Sequence, residues 1–432
     1  MSQDWLVLLA DPESPTPLVG DDESVAATWI RIGGHRVMLA VNRFDVAAGT
    51  LSVAAGQRLV QAFDAAIADG VPVLAITNSG GARMQEGTRA FVQMIEAAKA
   101  ARRVRSNGLP LLVYLANPTT GGVFASWGSL GSVTFAEPGA TIGFTGPRVA
   151  AALGEPIHPA ETQTAEGLFA NGLVDGVIAP ERLRGELISA LDALAPAEVW
   201  NAVPRHYPDE VADGPHGWAA VTSSRRPARG DVLERLLKRA TASVEVRGDR
   251  SGSVDLAVYC AITRVDDVPL VVIAHRQPGA RPSAAGLRSA RRAMVLAQEL
   301  GLPVVTIVDT AGAVIGGEQE TEGFAGEIAK SLDTLSSLTV PTVTVIAGQG
   351  CGGAAMAWLA SREIIAAPDA WIAPIAPEAA SLIVRRDTDH AAEMADLQRV
   401  SATELREQGI VARVVAFDHL VDAALASIAR RD

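Results

Sequence analysis

The chain has 432 residues, 48% of them hydrophobic and 20% charged, which predicts two globular domains of roughly 200 residues each. A formal net charge of −12 argues against a nucleic-acid surface, because phosphate binding needs a basic excess. With two cysteines and no metal-ligand spacing of His or carboxylates, we expect neither a disulfide framework nor a metal site.

The sequence shows no sign of secretion or membrane insertion. Its start lacks the basic region and long apolar core of a signal peptide. Two long uncharged stretches, residues 106–136 and 334–361, are broken by proline, glycine and polar residues, which favours strand, turn and buried helix over a membrane span. We therefore expect a soluble, cytoplasmic protein.

In chain order, the first half predicts alternating helices and buried strands. A helical segment closes at Gly70, and the apolar residues 71–77 that follow predict a strand ending in a glycine-rich turn. A helix is expected over residues 84–101 and a second strand over 111–115. A Gly-Gly turn then leads to a short helix beginning near Val123.

The second half repeats this order. A helical segment closes at Gly301, and strands are predicted over residues 303–308 and 342–346, with a helix over 323–335 between them. A second Gly-Gly turn leads to a short helix near Ala354. Near-continuous apolar strands alternating with helices predict, in each half, a parallel sheet that is covered on both faces.

The two halves are diverged copies of one unit. Matching residues recur at one offset, 303 − 72 = 231, for the pairs Pro72 and Pro303, Pro110 and Pro341, Gly121 and Gly352, Gly122 and Gly353, and Trp127 and Trp358. A later slip of one residue relates Pro147 to Pro377. We place the domains at residues 1–205 and 230–432, with the Pro- and Gly-rich residues 206–229 as a linker.

Two glycine-rich turns in each unit follow the carboxyl ends of buried strands, where ligands bind in open α/β sheets. Glycine lets the backbone approach a ligand closely, and a helix that begins there presents unpaired N–H groups. One N–H from each turn, directed at one point, makes an oxyanion hole. The turns are Ser79-Gly80-Gly81-Ala82 and Thr120-Gly121-Gly122-Val123 in the first unit, and Thr310-Ala311-Gly312-Ala313 and Cys351-Gly352-Gly353-Ala354 in the second.

Few side chains near these turns suit acid–base chemistry. Arg83, Glu86 and Arg89 either pair along a helix surface, or one of the arginines binds a ligand carboxylate or phosphate. Asp309 ends a strand. Cys351 is disfavoured as a nucleophile because its counterpart is Thr120 and no histidine is close in sequence.

Charged clusters elsewhere in the second unit have two interpretations. Glu318, Glu320 and Glu322 favour the solvated start of a helix. His275 and the arginines after it form either an exposed face or a phosphate contact; they are Arg276, Arg281 and Arg288. No general base stands out, which suits a reaction in which carboxylate transfer itself makes or consumes an enolate.

Several motifs resemble one known family. SGGARMQEG (residues 79–87), NPTTGGVFAS (117–126) and AEPGATIGFTGPRV (136–149) resemble the β half of the acetyl-CoA carboxylase carboxyltransferase. ARRAMVLAQELGLPVVTIVDTAGA (290–313) and GQGCGGAAMAWLAS (348–361) resemble its α half. The resemblance implies an α/β fold, a tandem duplication of the crotonase-like (ClpP/crotonase) β-β-α superhelix unit.

The resemblance also implies an activity: transfer of a carboxyl group from carboxybiotin to the α-carbon of an acetyl- or propionyl-type CoA thioester. One oxyanion hole, formed by Gly121 and Gly122 with Ala82, would hold the acyl-CoA enolate. The other, formed by Gly353 and Ala354 with Ala313, would hold the ureido oxygen of carboxybiotin. Further substrate-binding positions would be Gly80, Gly81, Arg83, Gly312 and Gly352.

The same resemblance implies partners. Carboxybiotin would come from a separate biotin carboxyl carrier, since the chain has no Met-Lys-Met site and no biotin carboxylase part. In the family the active site is shared between subunits, so we expect a homo-oligomer, a dimer or a dimer-based hexamer. No metal, nucleic acid or membrane is expected to bind. The product would feed fatty acid or polyketide precursor synthesis.

The chain departs from the family in three ways; the first puts any RNA-binding or regulatory role in doubt, and the last two leave room for an alternative activity. The zinc ribbon of the bacterial β subunit is absent, Ala311 replaces a proline of the DTPGA motif, and the chain is short for a fused carboxyltransferase. One alternative is a biotin-independent decarboxylase of malonyl- or methylmalonyl-thioesters. Another is an inactive scaffold subunit of a carboxylase complex.

Overall fold

The computed structural model describes residues 4–14, 22–154, 159–195, 208–211, 213–226 and 229–429. The chain forms two compact units, one made of Met1–Leu191 with Arg250–Ser253 and the other of Asp192–Asp249 with Val254–Asp432.

The first unit contains alternating strands and helices. Its elements are α1 (Trp5–Leu9), β1 (Val25–Ile32), β2 (His35–Asn42), α2 (Val53–Asp69), β3 (Val73–Ser79), α3 (Thr88–Ser106), β4 (Leu111–Thr120), β5 (Val133–Ala136), β6 (Ile142–Gly143), α4 (Pro147–Ala152), α5 (Ala165–Ala170), β7 (Gly176–Val177) and α6 (Pro180–Leu194).

The second unit repeats this order after an additional opening segment. Its elements are α7 (Gly217–Ser224), α8 (Val232–Lys238), β8 (Ala240–Glu245), β9 (Val258–Val265), β10 (Val268–His275), α9 (Ala284–Leu300), β11 (Val304–Thr310), α10 (Gly317–Thr321), α11 (Phe324–Ser337), β12 (Thr342–Cys351), α12 (Gly352–Met356), β13 (Glu363–Ala366), β14 (Trp371–Ala373), α13 (Pro377–Arg385), α14 (Ala391–Gln398), α15 (Ala402–Glu407), β15 (Arg413–Val414) and α16 (Leu420–Ala429).

The two sheets have the same strand order. In the first unit it is β1-β2-β3-β4-β5-β7, with β6 also paired to β4, and in the second it is β9-β10-β11-β12-β13-β15, with β14 paired to β12 and β8 added beside β9. The strands from β2 to β7 and from β10 to β15 pair in parallel, as predicted. The antiparallel pairs β1–β2, β8–β9 and β9–β10 were not predicted from the sequence.

Local capping explains why corresponding helices begin and end at equivalent residues. The hydroxyl groups of Ser52 and Ser283 accept backbone N–H groups at the starts of α2 and α9, which satisfies donors that a helix N-terminus leaves unpaired. Both helices end at a left-handed glycine, Gly70 with φ 64° and Gly301 with φ 67°. The helix ends predicted at these two glycines are therefore confirmed.

The central strands are the same in both units and run further than predicted. β3 begins at Val73 and β11 at Val304, so their starts are 304 − 73 = 231 residues apart. β4 continues to Thr120 and β12 to Cys351. The short helix expected near Val123 is a run of turns instead, held by an Ala125 N–H to Gly121 oxygen bond of 3.1 Å. Its counterpart in the second unit is the short helix α12.

The expected linker contains a packed helix. α7 lies in the middle of residues 206–229, and the Trp371 indole N–H donates to the Ser224 hydroxyl at 3.0 Å. Val221 is buried in a small core with Trp371. α7 thus belongs to the packed body of the second unit, while residues 206, 207, 212, 227 and 228 lie outside the described residues.

Among the described helices, none is both long enough and apolar enough to cross a bilayer.

We predict that Asp175 stabilises the first unit. Its side chain has no exposed surface, accepts the Thr134 N–H at 2.8 Å and pairs with Arg250. Asp175→Ala leaves both donors without this acceptor, so the free energy of unfolding, measured with urea, should fall by about 3–5 kcal/mol. The matched control is Glu186→Ala, which breaks the exposed pair with Arg182 and should cost about 0.5 kcal/mol or less. Equal losses in the two variants would contradict this assignment.

Candidate active site

The two glycine-rich turns of the first unit touch through their backbones. A Cβ built on Gly121 would lie 3.1 Å from Gly81 Cα, and one built on Gly81 would lie 3.7 Å from Gly122 N. Gly81 has φ 108° and Gly121 has φ 68°, values that a side chain disfavours. Conformation therefore favours glycine at both positions, and at Gly121 the close contact with Gly81 does so as well.

A hydroxyl group at the end of β3 fixes the first turn. The Ser79 hydroxyl donates to Gly49 oxygen at 2.6 Å and accepts the Gly81 N–H at 3.0 Å. The next peptide is held by Leu51, whose N–H donates to Gly81 oxygen at 2.8 Å. These bonds fix Gly81 on both sides, and the Ala82 N–H follows directly after this fixed residue.

Hydrogen bonding separates the N–H groups that can bind a ligand from those that cannot. Gly121, predicted as a donor, already donates to Gly143 oxygen at 3.1 Å and to Phe144 oxygen at 2.9 Å, and Gly80 donates to Ala48 oxygen. In the part of the chain that the structure describes, no hydrogen bond is donated by the N–H of Ala82 or of Gly122. The pair available in the first unit is therefore Ala82 and Gly122.

The second unit repeats this geometry. Gly312 has φ 112° and Gly352 has φ 66°, and the Thr310 hydroxyl donates to Ala280 oxygen at 2.6 Å and accepts the Gly312 N–H at 3.1 Å. Ala313 and Gly353, at 313 − 82 = 231 and 353 − 122 = 231, have no acceptor for their N–H groups among the described residues.

Two further contacts hold the Ala313 turn. Arg281 donates to Ala313 oxygen from Nε at 3.0 Å and from Nη2 at 2.7 Å, and the Val314 N–H donates to Pro282 oxygen. Arg281 is exposed, in agreement with one of the two interpretations of the sequence, and its guanidinium binds a backbone carbonyl. Ala354 lies in the first turn of α12, where helix N–H groups lack intrahelical partners.

Each unit thus presents two main-chain donors beside a tight turn. Such groups stabilise negative charge that develops on an oxygen, and removing one typically costs about 3–4 kcal/mol of activation energy. Because the donors are fixed by strand ends and turns, little reorganisation is needed when that charge appears.

Arg83 is occupied by protein groups. Its guanidinium pairs with Glu23 at 3.0 Å and donates to Thr50 oxygen. Burial disfavours the charged form of Glu23, but hydrogen bonds from Arg83 and from the Ser24 N–H outweigh burial and lower its pKa. Glu86 accepts the Val53 N–H at 2.8 Å. Arg83 and Glu86 therefore hold the chain around the first turn.

Histidine and cysteine near the second site are poorly suited to proton transfer. His275 is buried and stacked on Trp358 with ring centroids 4.4 Å apart, and burial lowers its pKa to about 3, so it is neutral. Cys351 is buried, and burial raises the pKa of its thiol. Neither group supplies a base or a thiolate at neutral pH.

Among the described residues, Asp309 is the carboxyl group beside a donor turn whose pKa is strongly raised. Burial raises its pKa to about 6, although Arg229 and the Gln349 N–H favour the charged form. The sequence identified Asp309 only as the end of a strand.

Two of the remaining arginine candidates are paired with carboxylates of the protein. Arg276 pairs with Glu245 at 2.9 Å, and Arg288 pairs with Asp249 at 2.7 Å. Glu318 and Glu320 lie in the first turn of α10, as predicted, whereas Glu322 caps the end of this helix and lies 3.5 Å from Arg288. Arg89 is exposed on α3. No cluster of three or more metal-ligating side chains occurs among the described residues.

Comparisons with known proteins agree on one family. The model of the carboxyl transferase domain matches residues 18–428. The chain is 45% identical over 401 residues to a probable biotin-dependent acyl-coenzyme A carboxylase beta3 subunit of Mycobacterium tuberculosis, covering 92% of this chain and 80% of the relative. It is 35% identical over 413 residues to the acetyl-coenzyme A carboxylase carboxyl transferase subunits beta/alpha of Salinispora arenicola, covering 91% and 73%.

Solved structures show the same fold. Transcarboxylase 12S, a hexamer solved with methylmalonyl-coenzyme A and methylmalonic acid bound, superposes with a TM-score of 0.80 at 23% identity, covering 99% of this chain and 90% of that one. A single-chain, multi-domain long-chain acyl-CoA carboxylase gives 0.75 at 19% identity, covering 97% and 45%. The duplicated crotonase-like α/β fold predicted from the sequence is confirmed.

We predict that the Thr310 hydroxyl holds the second unit's turn. Thr310→Val removes the acceptor of the Gly312 N–H and the donor to Ala280 oxygen, so the free energy of unfolding should fall by about 1–3 kcal/mol. Thr310→Ser keeps the hydroxyl, as Ser79 does in the first unit, and should lose less. Urea unfolding of the two variants measures the difference, and an equal loss in both would contradict the role of the hydroxyl, because serine keeps that group and valine does not.

Proposed function

Because this chain belongs to the carboxyl transferase family, we propose that it is the carboxyltransferase component of a biotin-dependent acyl-CoA carboxylase. The observation that carries the proposal is the repeated pair of uncommitted N–H donors, Ala82 with Gly122 and Ala313 with Gly353. A transfer between two carbonyl compounds needs two such pairs, because negative charge develops on the oxygen of each.

The reaction balances without a protein base. The bond between the ureido nitrogen and the carboxyl carbon of carboxybiotin breaks, leaving charge on the ureido oxygen and releasing CO₂. That nitrogen takes a proton from the α-carbon of the thioester, and the resulting enolate forms the new carbon–carbon bond to CO₂. The protein orients both substrates and stabilises both oxyanions, which fits the lack of a suitable histidine or cysteine at the described second site.

We assign the acyl-CoA enolate to Ala82 and Gly122, and the ureido oxygen to Ala313 and Gly353. The first unit keeps the motifs GGARMQEG and TTGGV that match the family's CoA side, whereas Ala311 replaces a proline in the second. The proposed substrates are acetyl- and propionyl-type thioesters. In this mechanism neither site uses a metal ion.

We further propose a homo-oligomer that receives carboxybiotin from a separate carrier and works with a biotin carboxylase. Large apolar side chains next to the donor turns are exposed at equivalent positions. Met84 is 88% exposed and its counterpart Ile315 is 86% exposed, and Phe144 is exposed as well. A second copy of the chain would remove these side chains from water. Two unpaired cysteines fit a reducing compartment, so we place the enzyme in the cytoplasm.

The test of this function is the loss of the carboxyl group from malonyl-CoA and methylmalonyl-CoA, measured with and without free biotin. We expect loss that depends on biotin, because transfer is reversible through the same enolate. Equal loss without biotin would instead identify a decarboxylase. No turnover under either condition would favour a scaffold subunit. The faster of the two substrates reports the acyl preference.

We predict that substitutions at Gly122 and Gly353 separate the two half-sites. Gly122→Val places a side chain against Met94, where a Cβ would lie 3.0 Å from Met94 Cγ, and disturbs the N–H that faces the thioester oxygen. The activation free energy should rise by about 3 kcal/mol or more, so turnover should fall, while CoA affinity stays nearly unchanged. Gly353→Val places a Cβ 2.5 Å from Ile328 Cδ1 and should abolish the reaction with biotin while acyl-CoA still binds.

The matched controls are Gly185→Ala in α6 and Gly326→Ala in α11, because an added Cβ meets nothing within 4 Å at either position. Both should keep full turnover in steady-state kinetics. Loss of CoA binding in Gly353→Val, together with full activity in Gly122→Val, would reverse the assignment of the two units.

A further inference from the structure

The ladder between the two strands that carry the second unit's donors is interrupted just before the donor turns. β11 and β12 pair in register as far as Val308 and Ile346 and pair again at Thr310 and Gly350, which leaves Asp309 opposite residues 347–349. The Gln349 N–H in this interruption is directed at Asp309, whose Oδ1 accepts it at 3.0 Å. The carboxylate thus replaces a missing ladder bond.

The other carboxylate oxygen binds an arginine that comes from outside the sheet. Asp309 Oδ2 lies 3.2 Å from Arg229 Nη1, and both side chains are less than 10% exposed. Arg229 also binds Asp369 through Nε and Nη2, and its guanidinium lies 4.7 Å from the ring centre of Phe417. Arg229 is therefore fixed independently of Asp309.

The ion pair between Asp309 and Arg229 lies directly against Gly348, which leaves no space for a side chain at that position. A Cβ on Gly348 would lie 2.4 Å from Arg229 Nη1 and 2.5 Å from Asp309 Oδ2. The main chain of Asp309 is also held, because its N–H donates to His275 Nδ1 at 3.1 Å and its oxygen accepts the Gly279 N–H at 3.1 Å.

The first unit lacks this arrangement at equivalent positions. Asn78 stands in place of Asp309 and Pro118 in place of Gln349, at 309 − 78 = 231 and 349 − 118 = 231. Pro118 has no N–H to donate, and within the described ranges the buried Asn78 Oδ1 has no hydrogen-bond partner. A hydroxyl pair, Thr77 with Thr119 at 2.8 Å, joins the strands there instead.

We propose that Asp309 is a positioning residue for the second unit's oxyanion site, working with Arg229 as its fixed counter-ion. Ala313 follows Asp309 by four residues, and Gly353 follows Gln349 by four. The bond from Gln349 to Asp309 therefore sets the relative placement of the two donors. Arg229 offsets the carboxylate charge, which would otherwise oppose an oxyanion nearby. Asp309 touches no substrate in this role, and the inference rests on the proposed function.

The experiment compares Asp309→Ala with Asp309→Asn in the biotin-dependent assay. The alanine variant removes the acceptor of the Gln349 N–H, and kcat should fall by roughly 10- to 100-fold, as misplacement on the order of 1 Å can cause. KM for acyl-CoA should stay within about twofold, since the first unit holds it. The asparagine variant keeps an amide oxygen for Gln349 and should recover most of kcat.

The matched control is Asn78→Ala, which removes the equivalent side chain of the first unit, and its kcat should stay within about twofold of the parent's. If Asp309→Ala does not fold, Arg229→Lys provides the test. A lysine cannot bind Asp309 and Asp369 together as the guanidinium does, so kcat should fall with KM unchanged.

The proposal is overturned if the folded Asp309→Ala or Arg229→Lys variant keeps full kcat. It is also overturned if Asp309→Asn recovers no activity relative to Asp309→Ala. Failure of the proposed function is a separate result, because it appears as a lack of biotin-dependent turnover in the parent protein.

Discussion

In each unit, two neighbouring strand ends bring two peptide groups close together, and the rest of the structure depends on this approach. In the first unit a Cβ on Gly121 would lie 3.1 Å from Gly81 Cα, closer than such atoms usually approach. The left-handed conformations of these glycines turn the chain so that the next N–H groups leave the sheet. Strand ladders, hydroxyl groups and the buried carboxylate of Asp309 all act to hold these turns in place.

Much of the fold follows from the sequence because it depends on local chemistry. The left-handed glycines at positions 70 and 301 end helices α2 and α9, and the strands β3 and β11 are buried except at Asn78. The antiparallel strand β1 alternates buried with less buried residues. It was not predicted, because the prediction was based on the apolar strands that recur in both halves of the chain. Helix α7 could not be predicted, since its stability comes from contacts with Trp371, about 150 residues further along the chain.

The sequence predicts where the site lies in the fold. It predicts less well which N–H groups of the site are free to bind a ligand. A fixed offset identified the four turns, but the choice between Gly121 and Gly122 depends on a bond from Gly121 to Gly143 and Phe144 oxygens. Such tertiary partners leave no trace in spacing or composition. One overlooked signal was present: Ser79 and Thr310 are hydroxyl residues at the same position of both copies, at 310 − 79 = 231. The structure explains that match through the bond each hydroxyl makes within its own turn.

The donors at Ala82 and Ala313 belong to the main chain of residues that are already alanine. An alanine scan passes over both positions without changing an atom, and most other substitutions there keep the N–H. Proline removes the N–H but also fixes φ and adds a ring, whereas replacing the amide by an ester, which exchanges the nitrogen and its hydrogen for oxygen, deletes the donor and leaves the side chain unchanged. Evolution, too, can alter the direction of these groups only through their neighbours, so drift in side-chain chemistry at Ala82 and Ala313 is compatible with an unchanged reaction.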